Sequence, residues 1–340
     1  MYKKNVLLVL LCFLFTISCS SPSNPGNGNE GNNGGSTVPP PTGPTEEELI
    51  AKYGIDIGQD DTVISQKIEE NLKAYYTEMG SYRVIFTGTP KDYSTYESLY
   101  TLTLKSAMKV ISNKDIDMDI RNIDFKDGIV PTGMFSGETR EDNYNNIFLN
   151  FIFPENKIKT IEMMSFDQLY NTKEIILPDS VITIGESAFQ DSQSIEKLTL
   201  GNSLQEIGNF AFMYVHNLKE VIIPDSVKTI GMGAFSGPKI ETLKLSSSLE
   251  TIGDSAFDST SITELTIPAS VKSIGSTAFA FSQQLTTVTY LGTTPDAINN
   301  NKDVFVMCSS LKTLKVPNAL NEKDPKWNTF LGGSFTTVTK

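Results

Sequence analysis

The strongest constraint on this chain is that it repeats. Phenylalanines stand at Phe166, Phe189, Phe212, Phe235, Phe257 and Phe279, at intervals of 23, 23, 23, 22 and 22 residues. Five residues before each is an isoleucine: Ile161, Ile184, Ile207, Ile230, Ile252 and Ile274. In five of the six, a glycine follows the isoleucine (Gly185, Gly208, Gly231, Gly253, Gly275) and an alanine precedes the phenylalanine (Ala188, Ala211, Ala234, Ala256, Ala278). A fixed period of this length means a solenoid, because one such unit cannot bury its own apolar residues and must be covered by its neighbours.

One unit, Lys219 to Phe235, reads KEVIIPDSVKTIGMGAF. Its start alternates, with Val221 and Ile223 facing one way and Glu220 and Ile222 the other, which is the period of a short strand. Pro224 closes the strand, as Pro178 and Pro268 do elsewhere, since proline cannot donate to a ladder. Gly231 marks either a left-handed backbone or a place too crowded for a Cβ. Ala234 leaves room for Phe235 to lie across the interior. If Val221 and Ile223 point inward, the outward positions form a ribbon: Glu174, Ile176, Lys197, Thr199, Glu220, Ile222, Thr242, Lys244, Glu264 and Thr266, continuing through Thr287, Thr289, Thr313 and Lys315. It is mixed in charge, rich in threonine and free of aromatics, with Ile176 and Ile222 as its large apolar contact points. Two residues after the repeat phenylalanine the usual occupant is small or polar. Tyr214 and Phe281 break that rule and are further candidate anchors on loops.

The run I-P-D-S-V-K-T-I-G-x-x-A-F resembles the BspA-type leucine-rich repeat of bacterial surface proteins, over about 60% of the chain. The resemblance implies an α/β-type solenoid, a right-handed superhelix of short parallel strands with an irregular or short-helical convex side. It also implies surface exposure and attachment to host matrix proteins, host cells or other bacteria. The family's cysteine three residues after the phenylalanine is replaced here by Ser192, Val215, Pro238, Thr260 and Ser282, and kept only as Cys308. Such a cysteine is expected to pack as a small apolar residue.

The rest of the chain frames the repeats. Residues 1–18 read as a signal peptide: Lys3 and Lys4, then an apolar run from Val6 to Ile17 that is too short to span a bilayer. Thr16-Ile17-Ser18-Cys19 resembles a lipoprotein box, so Cys19 is expected to carry lipid. Residues 19–44 are a Ser, Asn, Gly and Pro tether that cannot build a core. Residues 45–115 are expected to form a non-repetitive α+β cap, with a helix at TEEELIAKYG and a second from Asp60 to Met79. The second helix would bury Ile64, Ile68, Leu72 and Tyr75. A strand follows at Tyr82–Phe86 and a third helix at Ser94–Ile111, carrying Tyr96, Leu99, Leu102 and Leu104. Residues 116–317 hold the repeats, beginning with a degenerate unit in which Val130 and Phe135 keep the five-residue spacing. The insertion ETREDNYNN follows it. A last strand at Leu314–Val316 precedes a closing cap, residues 318–340, around the only tryptophan, Trp327.

Composition narrows the function. Net charge is −12, and −14 once Lys3 and Lys4 leave with the leader, which argues against binding nucleic acid or anionic lipid through bulk charge. With Cys12 removed and Cys19 acylated, Cys308 has no partner for an intrachain disulfide. The single histidine, His216, makes a histidine triad or multi-histidine metal site untenable and reads as a solvated loop residue. Asp115, Asp117 and Asp119 open like a calcium loop, but Ile120 and Lys126 stand where glycine and glutamate are needed. They read as the wet face of a strand. Asp179 and Asp225, after two repeat prolines, are explained by turn geometry. No cofactor or metal is expected. The reading is a non-enzymatic, monomeric, lipid-anchored binding protein of the bacterial outer membrane surface, with a host matrix or cell-surface protein as ligand. A periplasmic or envelope scaffold and a carbohydrate-handling accessory are the alternatives. A carboxylate pair with raised pKa values near Tyr214 or Phe281 would favour the last.

Overall fold

The computed structural model describes residues 43–137, 146–299 and 301–340. The leader, Cys19 and nearly all of the tether and the insertion lie outside them. Thr45–Lys340 forms one compact unit.

The repeat phenylalanines form its axis. Phe135, Phe166, Phe189, Phe212 and Phe235 lie in one file with neighbouring ring centroids 5.0 Å apart. The file continues through Phe257, Phe279 and Phe305 at 5.3, 5.4 and 6.0 Å. Phe166 through Phe279 are wholly buried. Each phenylalanine from Phe166 to Phe257 also donates its backbone N–H to the carbonyl of the next unit's alanine, at 2.8 Å. The Ala-Phe pair therefore joins successive turns by ring and by backbone.

Two parallel ladders flank this file. Among the described residues, seven two-residue strands from Ile129–Val130 to Ser273–Ile274 pair in chain order, each inward valine or isoleucine beside the next. The second ladder is broken into three runs: Glu174–Ile176 with Lys197–Thr199, Glu220–Ile222 with Thr242–Lys244, and Glu264–Ile267 with Thr287–Tyr290 and Thr313–Lys315. Every pairing in it is parallel and in register. The glycine after each isoleucine is required by crowding and not by a left-handed backbone. A Cβ on Gly208 would lie 2.7 Å from the carbonyl carbon of Gly185, and one on Gly253 would lie 2.5 Å from that of Gly231. The left-handed residue comes two places later, at Ser187, Phe210, Gly233, Ser255 and Thr277.

The N-terminal segment extends the solenoid. Helix α1 (Glu46–Tyr53) opens with a capping box between Thr45 and Glu48. Helix α2 (Asp61–Met79) buries Ile64, Ile68, Leu72 and Tyr75 and ends at left-handed Gly80. Helix α3 covers Leu99–Met108, shorter than the expected Ser94–Ile111. The Ser98 side chain accepts from the Thr101 N–H and starts the helix there, leaving Tyr96 outside it and exposed. The strand Gly54–Asp56 pairs in parallel with Arg83–Gly88, which pairs with Asp115–Ile123, which in turn pairs with Phe148–Ile152. These strand–helix–strand crossovers thus continue the parallel stacking of the repeats. One cluster of buried side chains runs from Ile55 to Phe335 among the described residues.

At the other end a further strand, Thr337–Thr339, pairs in parallel with Thr313–Lys315, so the ladder outlasts the Leu314–Val316 strand expected to be last. Trp327 is fully buried against Tyr290 and Phe330, and its indole N–H donates to the Asn321 carbonyl at 2.9 Å. Among the described residues no helix is long and apolar enough to cross a membrane.

Candidate binding surface

The outward positions of the longer strands form a ribbon of two columns. Glu174 stands opposite Lys197, and Ile176 opposite Thr199. Glu220 stands opposite Thr242, and Ile222 opposite Lys244. Glu264 and Thr266 continue into Thr287 and Thr289. All ten of the ribbon residues from Glu174 to Thr266 are exposed, while Ile175, Val221 and Leu265 between them are buried. Ile176 and Ile222 are 56% and 51% exposed, although nothing about a solvated strand asks for isoleucine there.

Two clefts open beside these isoleucines. The first, about 450 Å³, is lined by Phe151, Ile152, Phe153, Ile176 and Pro178, with Glu155, Asn156 and Asp179 at its margin. The second, about 310 Å³, lies among Leu198, Ile222 and Pro224, with Asp225 and Lys244. Asp179 and Asp225 have a structural duty as well. Each uses Oδ1 to accept the backbone N–H of the next unit, Asn202 and Ser247 respectively, at 2.8 Å. Ile152 and Phe153 were not legible as site residues, because the preceding insertion hides that Phe151-Ile152-Phe153-Pro154 repeats Ile175-Ile176-Leu177-Pro178.

Tyr214 and Phe281 line neither cleft. Both hold left-handed backbone, with φ of 61° and 59°, where the equivalent residue in another unit is Gly237. A bulky side chain is costly in that region, by about 1–2 kcal/mol. The Tyr214 ring covers Gly237 so closely that a Cβ there would meet it at 2.8 Å. Phe281 donates its backbone N–H to the carbonyl of Val306, the residue before the still more exposed Met307. His216 is exposed, its ring 5.8 Å from that of Tyr214.

The aspartates of the first repeat strand correct the sequence reading. Asp115 is exposed, but Asp119 is fully buried. Its carboxylate is ion-paired to Arg83 and accepts from Arg121 Nε at 2.9 Å. Glu46 of α1 reaches the same two arginines at 2.9 and 3.0 Å, and Tyr75 accepts from Arg83. Burial works to raise the Asp119 carboxyl, but hydrogen bonds from Arg121 and Arg83 outweigh it and hold it below the ordinary carboxylate range. The cysteine position is likewise more than apolar filler. Cys308 Sγ donates to the Phe279 carbonyl at 3.1 Å, and Ser192 Oγ donates to the equivalent Phe166 carbonyl at 2.9 Å.

One carboxylate is perturbed the other way. Burial pushes Asp167 up to about 6, opposed by a hydrogen bond from Ser136 and reinforced by the charge of Asp191. Its Oδ1 has no hydrogen-bond partner among the described residues. It lines neither cleft, so the raised acid and the cavities are separate features. Because the native state holds this proton more tightly than the unfolded chain, its contribution is complete below about pH 4 and is lost as pH rises through about 6. Asp167→Asn should therefore gain about 1–2 kcal/mol relative to the parent between those limits, allowing for partial exposure. Urea midpoints measured across that range check this; parallel curves for the two proteins would contradict it. Among the described residues no group of three or more His, Cys, Asp or Glu is placed to hold a metal ion.

Parallel ladders closing on a file of phenylalanines, with a ribbon of exposed strand positions, define a leucine-rich-repeat solenoid. The BspA type Leucine rich repeat region matches this chain in six copies, over residues 140–258 and 205–330, and the chain belongs to that family. Similar solved structures include a leucine-rich repeat protein from Bacteroides ovatus (16% identity, TM-score 0.46), covering 76% of this chain and 66% of that one. The Treponema pallidum leucine-rich repeat protein is 23% identical, TM-score 0.35, covering 54% and 81%. A leucine rich cell surface protein from Faecalibacterium prausnitzii is 18% identical, TM-score 0.37, covering 77% and 78%. The chain thus spans slightly less than two thirds of the Bacteroides protein. No curated protein matches it.

Proposed function

We propose that this chain is a non-enzymatic, surface-displayed binding protein whose ribbon engages proteins of host matrix, host cells or other bacteria. The observation that carries the reading is the pair of isoleucines, Ile176 and Ile222, left more than half exposed on strands that are each paired in register with the next. A rigid surface loses little freedom on binding, so many weak contacts can sum to useful affinity. Family membership supports display at the surface, and lipidation of Cys19 would supply the anchor. Tyr214 and Phe281 would act as secondary contacts on the loops.

The test is a binding screen of the full chain against extracellular-matrix proteins, mucins and glycans, repeated with Ile176, Ile222, Tyr214 and Phe281 all replaced by serine. The variant should melt within about 0.5 kcal/mol of the parent, as exposed substitutions do, while any captured protein binds at least about tenfold more weakly. Unchanged affinity would remove these residues from the site. Protease treatment of intact cells should shave the protein away; full protection would favour the envelope scaffold.

A further inference from the structure

The two clefts are copies of one another, built on Ile176-Leu177-Pro178-Asp179 and Ile222-Ile223-Pro224-Asp225. The unit between them, with Thr199 and Gly201, carries neither the isoleucine nor the Pro-Asp pair. The clefts therefore lie two strands apart, one step a hydrogen-bonded pair and one an unpaired step from Lys197–Thr199 to Glu220–Ile222, which puts them roughly 10 Å apart at about 4.8 Å per strand or slightly more. Alternate side chains of each strand stand out from this face, Ile176 and Ile222 among them, so a ligand lying across it meets side chains. A chain crossing the strands must present its anchors at a matching interval. An extended β-peptide repeats one face about every 7 Å, whereas a polyproline-II chain repeats one every third residue, about 9 Å.

Charge separates the clefts. The first has two carboxylates at its margin, Glu155 and the free Oδ2 of Asp179, and no cationic side chain lines it. The Asp179 carboxylate is fixed in place by two bonds from Asn202, so it needs no reorganisation to meet a cation. The second is lined by both Asp225 and Lys244, so its charges offset each other. We propose that the two clefts form one dock for a peptide in the polyproline-II conformation. Its apolar side chains, three residues apart, enter the two clefts, and a lysine or arginine stands next to the one in the first cleft. This rests on the reading of the ribbon as a protein-binding face and names the chemistry of its partner.

The experiment uses the full chain and three fluorescent proline-rich peptides. One has leucines three residues apart with a lysine beside the first. A second replaces the lysine by glutamate, and a third moves the leucines to two residues apart. Binding is read by anisotropy at about 50 mM and about 300 mM salt. The lysine peptide should bind at least about tenfold tighter than either of the others, with its advantage over the glutamate peptide shrinking at high salt. Ile176→Ser should weaken it about tenfold. Glu155→Gln with Asp179→Asn should erase the preference for lysine but keep the preference for leucine spacing. Equal affinity for the lysine and glutamate peptides overturns the proposal, as does no binding of any peptide or binding untouched by Ile176→Ser. A matrix protein captured by the parent and at least about tenfold more weakly by the Ile176→Ser, Ile222→Ser chain, with none of the three peptides bound, would leave the wider reading standing and sink this one.

Discussion

Phe212→Ala is expected to cost about 3–5 kcal/mol and to loosen the middle of the stack before its ends. The ring sits 5.0 Å from both Phe189 and Phe235, so its removal leaves a void with a ring on each side. Neither neighbour can close in, because each is held by its own backbone bond to the following alanine, Phe189 to Ala211 and Phe235 to Ala256. In a solenoid each turn touches only the next, and the damage should therefore decay with distance. Hydrogen exchange gives the pattern. Amides of the turns containing Phe189, Phe212 and Phe235 should lose protection while those near Val84 and Trp327 keep most of theirs. Uniform loss along the chain would mean that the stack melts as one unit.

Asp119→Ala should be about as damaging, by about 3–5 kcal/mol, for an electrostatic reason. Arg83 is 8% exposed, so deleting its buried partner leaves a guanidinium with too little water, the half-exposed Glu46 as its remaining carboxylate and the neutral Tyr75 hydroxyl. Removing both charges should be milder: Arg83→Met with Asp119→Leu is expected to recover much of the loss. The sign with pH follows from the depressed Asp119 carboxyl. Its contribution is present above the unfolded value of about 3.9 and fades as pH falls through the lower folded one. Chemical denaturation of the three proteins between neutral pH and about pH 2 measures this. A single variant no less stable than the parent, or a double variant worse than the single, would show that the cluster is not what holds α1 in place.

How much of this could be read from the chain depends on whether the signal was local. The phenylalanine period, the inward isoleucines and the exposed ribbon follow from spacing alone, because stacked turns force equivalent residues into equivalent places. The buried face of α2 was legible for the same reason, as Ile64, Ile68, Leu72 and Tyr75 keep helical spacing. What escaped depends on contacts between distant segments. Asp119 alternates with Ile116, Met118 and Ile120 as a wet residue should, and only Arg83, 36 residues earlier, reveals it as buried. The first cleft needed Phe153 to be aligned with Leu177 across an insertion that breaks the period. The glycine column could be placed but not explained, since crowding against the previous turn is invisible until the turns are superposed. The Thr337–Thr339 strand follows a tail with no repeat in it.

That glycine column has an evolutionary consequence. Every turn meets the next through the same small surface, so a genetic excision of 23 codons, such as residues 186–208, would bring Gly185 against Gly231 with no new clash. Ile176 and Ile222 would become immediate neighbours, and the second cleft would exchange its Leu198–Leu200 wall for Ile175–Leu177. Recombination between repeats could thus rearrange the exposed apolar positions of this face without a single point substitution.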